Sequence, residues 1–378
     1  MNEKNTDIEK LEEAFSFLKD NSSLKYNLKR ITDISINMKD SIKIAIAGAT
    51  GYIGLELVKI LSNHPKAKII YLCAQQSIGK KIRTFDPAIK NKKLPKISKV
   101  EKINWNKINT IFTALPNGEA QKIANKIPYH IKLFDLSADF RLQNPKIYKK
   151  WYGINHKAKN LIKKSTYAIT EFSKNNLSKQ KIVACPGCYP TSIQLPLIPL
   201  VYNKMINTKK IIIDSKSGYS GAGKKIKKKF KFKNLFQSIS AYGVGSHRHM
   251  SEIDQELSKI AKKEIKVFFT PHLIPTFRGI LSTIYLETTK GNSALKIYKF
   301  LKKYHKKNYF VKVAKFNSSI STGDIINSNF CKISVCKDRV SNKIIIISAI
   351  DNLIKGGSGQ AVQNMNVSYN FNEKLGLL

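Results

Sequence analysis

Arginine is scarce in this 378-residue chain: of 67 basic residues only Arg30, Arg83, Arg141, Arg248, Arg278 and Arg339 are not lysine. Acids are scarce as well, 25 against those 67, which leaves a formal net charge of +42. Such a charge would ordinarily suggest a nucleic acid or an anionic surface as partner. Proteins that read phosphates and bases favour the guanidinium fork, which meets those groups bidentately. With that fork nearly absent, and the lysines spread among abundant Ile and Asn, the charge reads as a compositional drift of the source, and no nucleic-acid partner is expected. The field should still favour anionic substrates and cofactors.

Long apolar runs are missing too. Nothing approaches the roughly 18 consecutive apolar residues of a membrane span, and the longest runs, such as Ile344–Ile347, are strand-length. The first 40 residues carry acids and no apolar signal core, so neither secretion nor a membrane partner is expected. Five cysteines are few and odd in number, and reduced thiols are the default reading. Cys185 and Cys188 form a C-x-x-C, but Cys331 and Cys336 lie far downstream at a wider spacing, which speaks against zinc. No metal is expected. Hydrophobic residues make up 42% of the chain, enough for packed cores, and the length allows roughly two domains. The expectation is a folded, soluble, cytoplasmic protein.

Residues 1–40 differ from the rest, with a net charge of −1 against +43 for the remainder. Ile8, Leu11, Phe15 and Leu18 repeat at helical spacing, so an amphipathic helix is expected over about 7–20. From Ser41 the pattern becomes strand, tight turn, helix. Ile42–Ala47 is an apolar strand, Gly48-Ala49-Thr50-Gly51-Tyr52-Ile53-Gly54 a glycine turn, and Leu55–Leu61 opens a helix. A second strand over Lys68–Ala74 completes a βαβ unit, and further short strands are expected to end near Leu115 and Leu136. The rhythm predicts an α/β, Rossmann-type, doubly wound parallel sheet to about residue 180. A less regular, strand-rich region follows to about 345, then a Gly-rich turn and a helix-like tail.

A strand, a G-x-x-G-x-x-G turn and a helix start aim backbone N–H groups and the positive helix end at a pyrophosphate. Gly48, Thr50, Gly51, Tyr52, Ile53 and Gly54 are therefore the candidate dinucleotide cradle. After the second strand, where an NAD site usually places an acid, the chain reads Ala74-Gln75-Gln76-Ser77-Ile78-Gly79-Lys80-Lys81. With no acid and two lysines, a 2′-phosphate is welcome, and NADP is favoured over NAD, with Ser77 and Lys80 as candidate contacts.

Val183–Thr191 starts as a strand and ends in the turn Pro186-Gly187-Cys188-Tyr189-Pro190. Helix-start donors and the dipole can lower the pKa of a cysteine there, which suits attack on an acyl group to give a thioester. Cys188 is the candidate nucleophile; Cys185, still in the strand, reads as core. A thiolate needs a proton partner. His247-Arg248-His249-Met250-Ser251-Glu252 offers two, and Glu252 lies three residues beyond His249, close enough on a helix to orient its ring. His249 is preferred to His247 as the acid/base.

Beyond these readings, the chain resembles the N-acetyl-γ-glutamyl-phosphate reductase family, NADP-dependent enzymes of arginine biosynthesis. The resemblance runs in order from residue 42 through Gly48–Leu57, Leu136-Ser137-Ala138-Asp139-Phe140-Arg141, Pro186–Thr191, Ser217-Gly218-Tyr219-Ser220-Gly221-Ala222-Gly223, His247-Arg248-His249, Arg278-Gly279 and Gly359–Asn366. It implies NADPH-dependent reduction of an acyl phosphate through a Cys188 thioester, with the histidine segment as acid/base. It implies an α+β catalytic and oligomerisation domain of the glyceraldehyde-phosphate/semialdehyde dehydrogenase type, and a homodimer or homotetramer. The expected layout is an N-terminal extension over 1–40, an NADP-binding domain over 41–185, a catalytic domain over 186–345 and a returning segment over 346–378. Asn352 and the Gly356–Gly359 turn, with Gly356 and Gly359 at its ends, would close the cofactor site. Arg141, Lys216, Ser217, Gly218, Arg248 and Arg278 are the candidate substrate contacts. The chain departs from the family in its N-terminal extension, in lacking an Arg near Gln75-Gln76, and in carrying Lys224 where Arg is common. A related reductase acting on a carrier-linked aminoadipyl phosphate or on aspartyl phosphate is the alternative.

Overall fold

The computed structural model describes residues 41–378 except 92, 225–233 and 235–236. The helix expected over 7–20 and most of the basic run 223–233 lie outside the described residues. One sheet is built from β1 (Ile42–Ala47), β2 (Ala67–Cys73), β3 (Ile97–Ser98), β4 (Thr110–Thr113), β5 (Lys132–Asp135), β6 (Ser165–Tyr167) and β7 (Ile182–Ala184). Its order is β3-β2-β1-β4-β5-β7-β6 and each pairing is parallel. Strands buried on both faces carry near-continuous apolar runs; β1 does so apart from the exposed Lys43, and the wholly buried β4 has Ile111 and Phe112 between two threonines. Helix α1 (Tyr52–Ser62) buries Leu55, Leu57, Val58 and Leu61. The strand order reverses between β1 and β4, which opens a crevice at their carboxyl ends.

The second sheet comprises β8 (Ile212–Gly218), β9 (Ser240–Ala241), β10 (Phe268–Ile274), β11 (Ile280–Glu287), β12 (Val311–Val313), β13 (Cys331–Lys337) and β14 (Lys343–Ile350), in the order β12-β13-β14-β11-β8-β10-β9 with mixed pairing. Its strands alternate. In β11, Ile280, Ser282, Ile284 and Leu286 are buried while Leu281, Thr283, Tyr285 and Glu287 look outward, the period of a sheet with one covered face. Helices α2 (Cys188–Tyr202), α3 (His249–Ala261) and α4 (Ala294–Tyr304) share one core with the inward face. Helix α2 is apolar almost all round, as a helix enclosed by neighbours should be; Tyr189 to Val201 are all buried.

After β14 the chain makes a π-type turn over Ile354–Ser358 and enters α5 (Gly359–Ser368). Ala361, Val362 and Met365 of α5 pack into the core of the first sheet with Leu57 and Phe112. The carboxylate of Asp351 builds this turn: Oδ1 accepts from the N–H groups of Leu353 and Ile354 at 2.9 and 3.2 Å. The tail thus brings glycines from one sheet's end to the other's helices.

Candidate active site

The glycine turn after β1 lies where the sequence placed it. Gly48 has φ +88, and a Cβ there would strike the Ala114 backbone; one on Gly54 would strike the Gly48 carbonyl. Both positions need glycine, one for conformation and close approach, the other for approach alone. Gly51 precedes α1 and no side chain caps that end, so the first-turn N–H groups of Tyr52 and Ile53 have no intrahelical partner. Beside the turn lies a cavity of about 740 Å³ lined by Gly48, Gln75, Lys99, Trp105, Leu115 and Lys122, among others. The lining also holds Glu101 and Glu119, the latter paired with Lys122 at 2.7 Å; a glycine cradle, an apolar wall and the lysines Lys99 and Lys126 fit a phosphorylated dinucleotide. Lys99 was not legible in the sequence because β3, which delivers it to the end of β2, is only two residues long. The exposed Lys80 and the half-buried Ser77 do not line that cavity; Lys80 gives its carbonyl to the N–H of Ile97.

Cys188 opens α2, with Gly187 as the residue before it. The thiol is half-buried. In place of the lowered thiol that a helix start suggests, burial pushes it up to about 11, aided by the Glu252 carboxylate and opposed by the Tyr189 N–H and the Arg141 guanidinium. Three groups converge on it. A Cβ built on Gly187 would sit 2.5 Å from Nε2 of His249, so that imidazole lies directly against the turn that carries Cys188. A Cβ on Gly356 would sit 2.7 Å from the Cys188 Cβ. Glu252, wholly buried, accepts from the Gly187 N–H at 3.0 Å and stands 3.9 Å from His249 Nε2. His247 is set among the rings of Tyr189, Tyr242 and Phe269, and its Nδ1 accepts from the His249 N–H at 3.2 Å.

The glycine at 356 has a testable consequence. Gly356→Ala must displace either the turn or Cys188, and if Cys188 is the reacting group, misplacing it by about 1 Å can cost around 100-fold. A fall in kcat of about 10- to 100-fold is expected by steady-state kinetics. An unchanged kcat would show that the turn does not position Cys188.

The expected substrate contacts separate into two groups. Arg141 is buried against Glu252, and Arg278 pairs with Glu56 of α1 at 2.6 Å and with Asp351 at 3.2 Å. Lys216 pairs with Asp214 on the outward face of β8. Arg248, by contrast, is exposed at the start of α3 and stacks over Tyr152 at 5.2 Å. Ser217 and Gly218 end β8, where the Gly218 N–H donates to the Gly279 carbonyl. Asn352 ties these loops together: its Oδ1 accepts from the Gly279 N–H at 2.7 Å and its Nδ2 donates to Ser220 at 3.0 Å. Gly359 starts α5 tightly against Asn329 and Ile354. Among the cysteines, Cys185 ends next to β7 and Cys331 and Cys336 lie on β13.

Comparison with known proteins agrees with this geometry. Residues 43–180 match the semialdehyde dehydrogenase NAD-binding domain and residues 188–352 the semialdehyde dehydrogenase dimerisation domain. Among solved structures, aspartate semialdehyde dehydrogenase II of Vibrio cholerae superposes with a TM-score of 0.64 at 16% identity, covering 87% of this chain and 98% of that one. The Candida albicans aspartate semialdehyde dehydrogenase with NADP gives 0.61 at 17%, covering 88% and 99%. These likenesses carry the fold. In sequence, the N-acetyl-gamma-glutamyl-phosphate reductase of Afipia carboxidovorans is 44% identical over 90% of this chain and 98% of its own length. The probable chloroplastic enzyme of Arabidopsis thaliana is 42% identical over 91% and 86%. The Rhodospirillum rubrum protein of the same name is 43% identical over 90% and 98%. With that identity along nine-tenths of its length, the chain belongs to the N-acetyl-γ-glutamyl-phosphate reductase family.

Proposed function

We infer that this chain is an oxidoreductase that reduces N-acetyl-γ-glutamyl phosphate to N-acetylglutamate 5-semialdehyde and phosphate, in arginine biosynthesis. The observation that carries this reading is the 44% identity, nearly end to end, with a protein named for that reaction. The convergence of Gly187, His249, Glu252 and Gly356 on Cys188 supports Cys188 as its nucleophile. His249 takes the Cys188 proton, since it is the imidazole against Gly187. The sulfur attacks the acyl carbon, a C–S bond forms, the C–O bond to phosphorus breaks, and phosphate leaves. NADPH, bound in the glycine cradle, supplies hydride. His249 gives its proton to the thiohemiacetal oxygen and takes it back as the C–S bond breaks, returning the thiolate and releasing the semialdehyde. Gly48, Thr50, Gly51, Tyr52, Ile53 and Gly54 hold the pyrophosphate, with Lys99 beside Gln75 for the 2′-phosphate. Arg248 is the cation we place on the substrate's phosphate or α-carboxylate.

The region matching a dimerisation domain includes the second sheet. We place a homodimer interface on that sheet's outward face, where Ile212, Phe268 and Tyr285 are exposed. Among the described residues no helix is long and apolar enough to cross a membrane; we assign the enzyme to the cytoplasm, where thiols stay reduced.

The reverse reaction tests the reading. With N-acetylglutamate 5-semialdehyde and NADP⁺, NADPH should form only when phosphate is present. The kcat/KM is expected to exceed that for aspartate semialdehyde by at least about 100-fold, because a site built to pair an acetamido group leaves polar atoms unmatched without it. A preference for aspartate semialdehyde, or for a carrier-linked aminoadipate semialdehyde, would overturn the substrate assignment.

A further inference from the structure

Arg141 lies deep beneath the nucleophile. Its side chain is 8% exposed, and its three nitrogens reach three different segments. Nε donates to the Cys185 carbonyl at 2.8 Å, Nη2 to the Leu136 carbonyl at 2.8 Å, and Nη1 to Glu252 Oε1 at 3.0 Å. Those carbonyls stand just past the ends of β7 and β5, and Glu252 comes from α3. Glu252 is itself wholly enclosed: Oε2 accepts from the Gly187 N–H at 3.0 Å and from the Tyr167 hydroxyl at 3.3 Å, and its carbonyl accepts from Gln194 Nε2 at 3.2 Å. One arginine therefore joins the ends of two parallel strands to the helix that carries His249.

We propose that Arg141 is a positioning residue of the reaction, holding the Glu252 carboxylate between the turn of Cys188 and the ring of His249 and balancing its charge there. The physical need is plain. A buried carboxylate bonded to Gly187 fixes the turn, but it also places a negative charge beside a sulfur that must itself become negative. Uncompensated, it opposes formation of the thiolate; a guanidinium on its far oxygen cancels most of that cost. The two charges act on the thiol in opposite directions, Glu252 pushing it up and Arg141 pulling it down. Only Arg supplies a fixed fork that can bind two carbonyls and a carboxylate at once. With these bonds made, Arg141 does not serve as a substrate contact.

The proposal rests on Cys188 as the nucleophile, and alkylation of Cys188 by iodoacetamide, followed by mass spectrometry as a function of pH, separates the two ideas. In the full-length Arg141→Met variant the alkylation midpoint should move to higher pH, with the rate near neutral pH about tenfold lower, as a displacement of one unit gives. Glu252→Gln should move it the other way. The double variant should return close to wild type, because removing both charges restores the balance. Turnover should fall in both single variants while the acyl-phosphate KM stays within about twofold. Should Arg141→Met fail to fold, Arg141→Lys should keep the wild-type alkylation profile with a lowered kcat, since charge is kept and the fork is lost. Displacements of the same sign in Arg141→Met and Glu252→Gln would overturn the proposal. So would a wild-type alkylation profile with a raised KM in Arg141→Met, the mark of a substrate ligand. If alkylated Cys188 leaves activity intact, the nucleophile assignment fails instead.

Discussion

Cys188→Ser is expected to lower kcat/KM by at least about 1,000-fold, the scale on which removing a nucleophile acts, while leaving NADPH affinity within about twofold by fluorescence titration. The second half follows because the cradle and the thiol belong to different elements. The glycine cradle lies between β1 and α1, whereas Cys188 opens α2 at the end of β7. Serine fits the space, since it is smaller than cysteine and Gly356 crowds the Cβ, which both share. Chemistry is what changes: a serine hydroxyl is a far weaker acid than a thiol, and His249 alone must then drive its ionisation. The wild-type thiol, held at about 11 by burial, gives the companion expectation. A thiol titrating there leaves only a minor thiolate fraction at neutral pH. Alkylation of Cys188 should then rise about tenfold per pH unit through the neutral range and level off only near that value. A variant that retains phosphate-dependent NADPH formation would remove Cys188 from the chemistry. One that loses cofactor affinity would show that the cysteine holds the fold rather than the acyl group.

What could be read without coordinates followed from how local each signal is. The strand, glycine turn and helix over 42–61 are contiguous, and a βαβ unit leaves a pattern within about 30 residues; β1 spans Ile42–Ala47 as expected. Cys188 at a helix start was legible for the same reason, because Gly187 and the following apolar run mark the turn. The bonding of Arg141 was not. Its partners are Leu136, Cys185 and Glu252, and 111 residues separate it from the last of these. An arginine in a motif offers itself as an anion ligand; only the packing of α3 against the strand ends reveals that its anion is internal. Arg278 is similar, with Glu56 lying 222 residues away. Between the two histidines, the three-residue spacing to Glu252 already favoured His249. The glycine at 187 favours His249, because its missing side chain is where that ring lies. Lys355 was invisible in a chain with 61 lysines, since nothing in its neighbours separates a buried lysine from an exposed one.

That lysine is expected to be among the costliest single side chains to remove. Lys355 is fully buried in the π-type turn, one residue before Gly356. Its ammonium donates to Glu171 at 2.7 Å and to Gln363 at 2.8 Å. Gln363 in turn donates to Glu171 and Glu373, each at 3.0 Å, so the turn, α5 and the segment after β6 share one polar network. Lys355→Met fits the tunnel of the aliphatic stem but strands the Glu171 carboxylate. Breaking a buried pair this way costs about 3–5 kcal/mol, a fall in Tm of roughly 5 °C for a chain this long. The pH dependence carries the diagnosis. Burial pushes the Glu171 carboxyl up, but the Lys355 charge and hydrogen bonds hold it below its ordinary 4.5. In the wild type this group therefore stabilises the fold above that value, and the contribution is lost as pH falls through the depressed folded pKa. Without Lys355, burial wins and the carboxyl is raised, so the variant loses stability as pH climbs past 4.5 instead. The gap in Tm between wild type and Lys355→Met should widen between about pH 4 and about pH 8, and Glu171→Gln in the same chain should flatten it. A gap that stayed constant across that range would mean the lysine acts through packing alone, with no ion pair beneath the turn that meets Cys188.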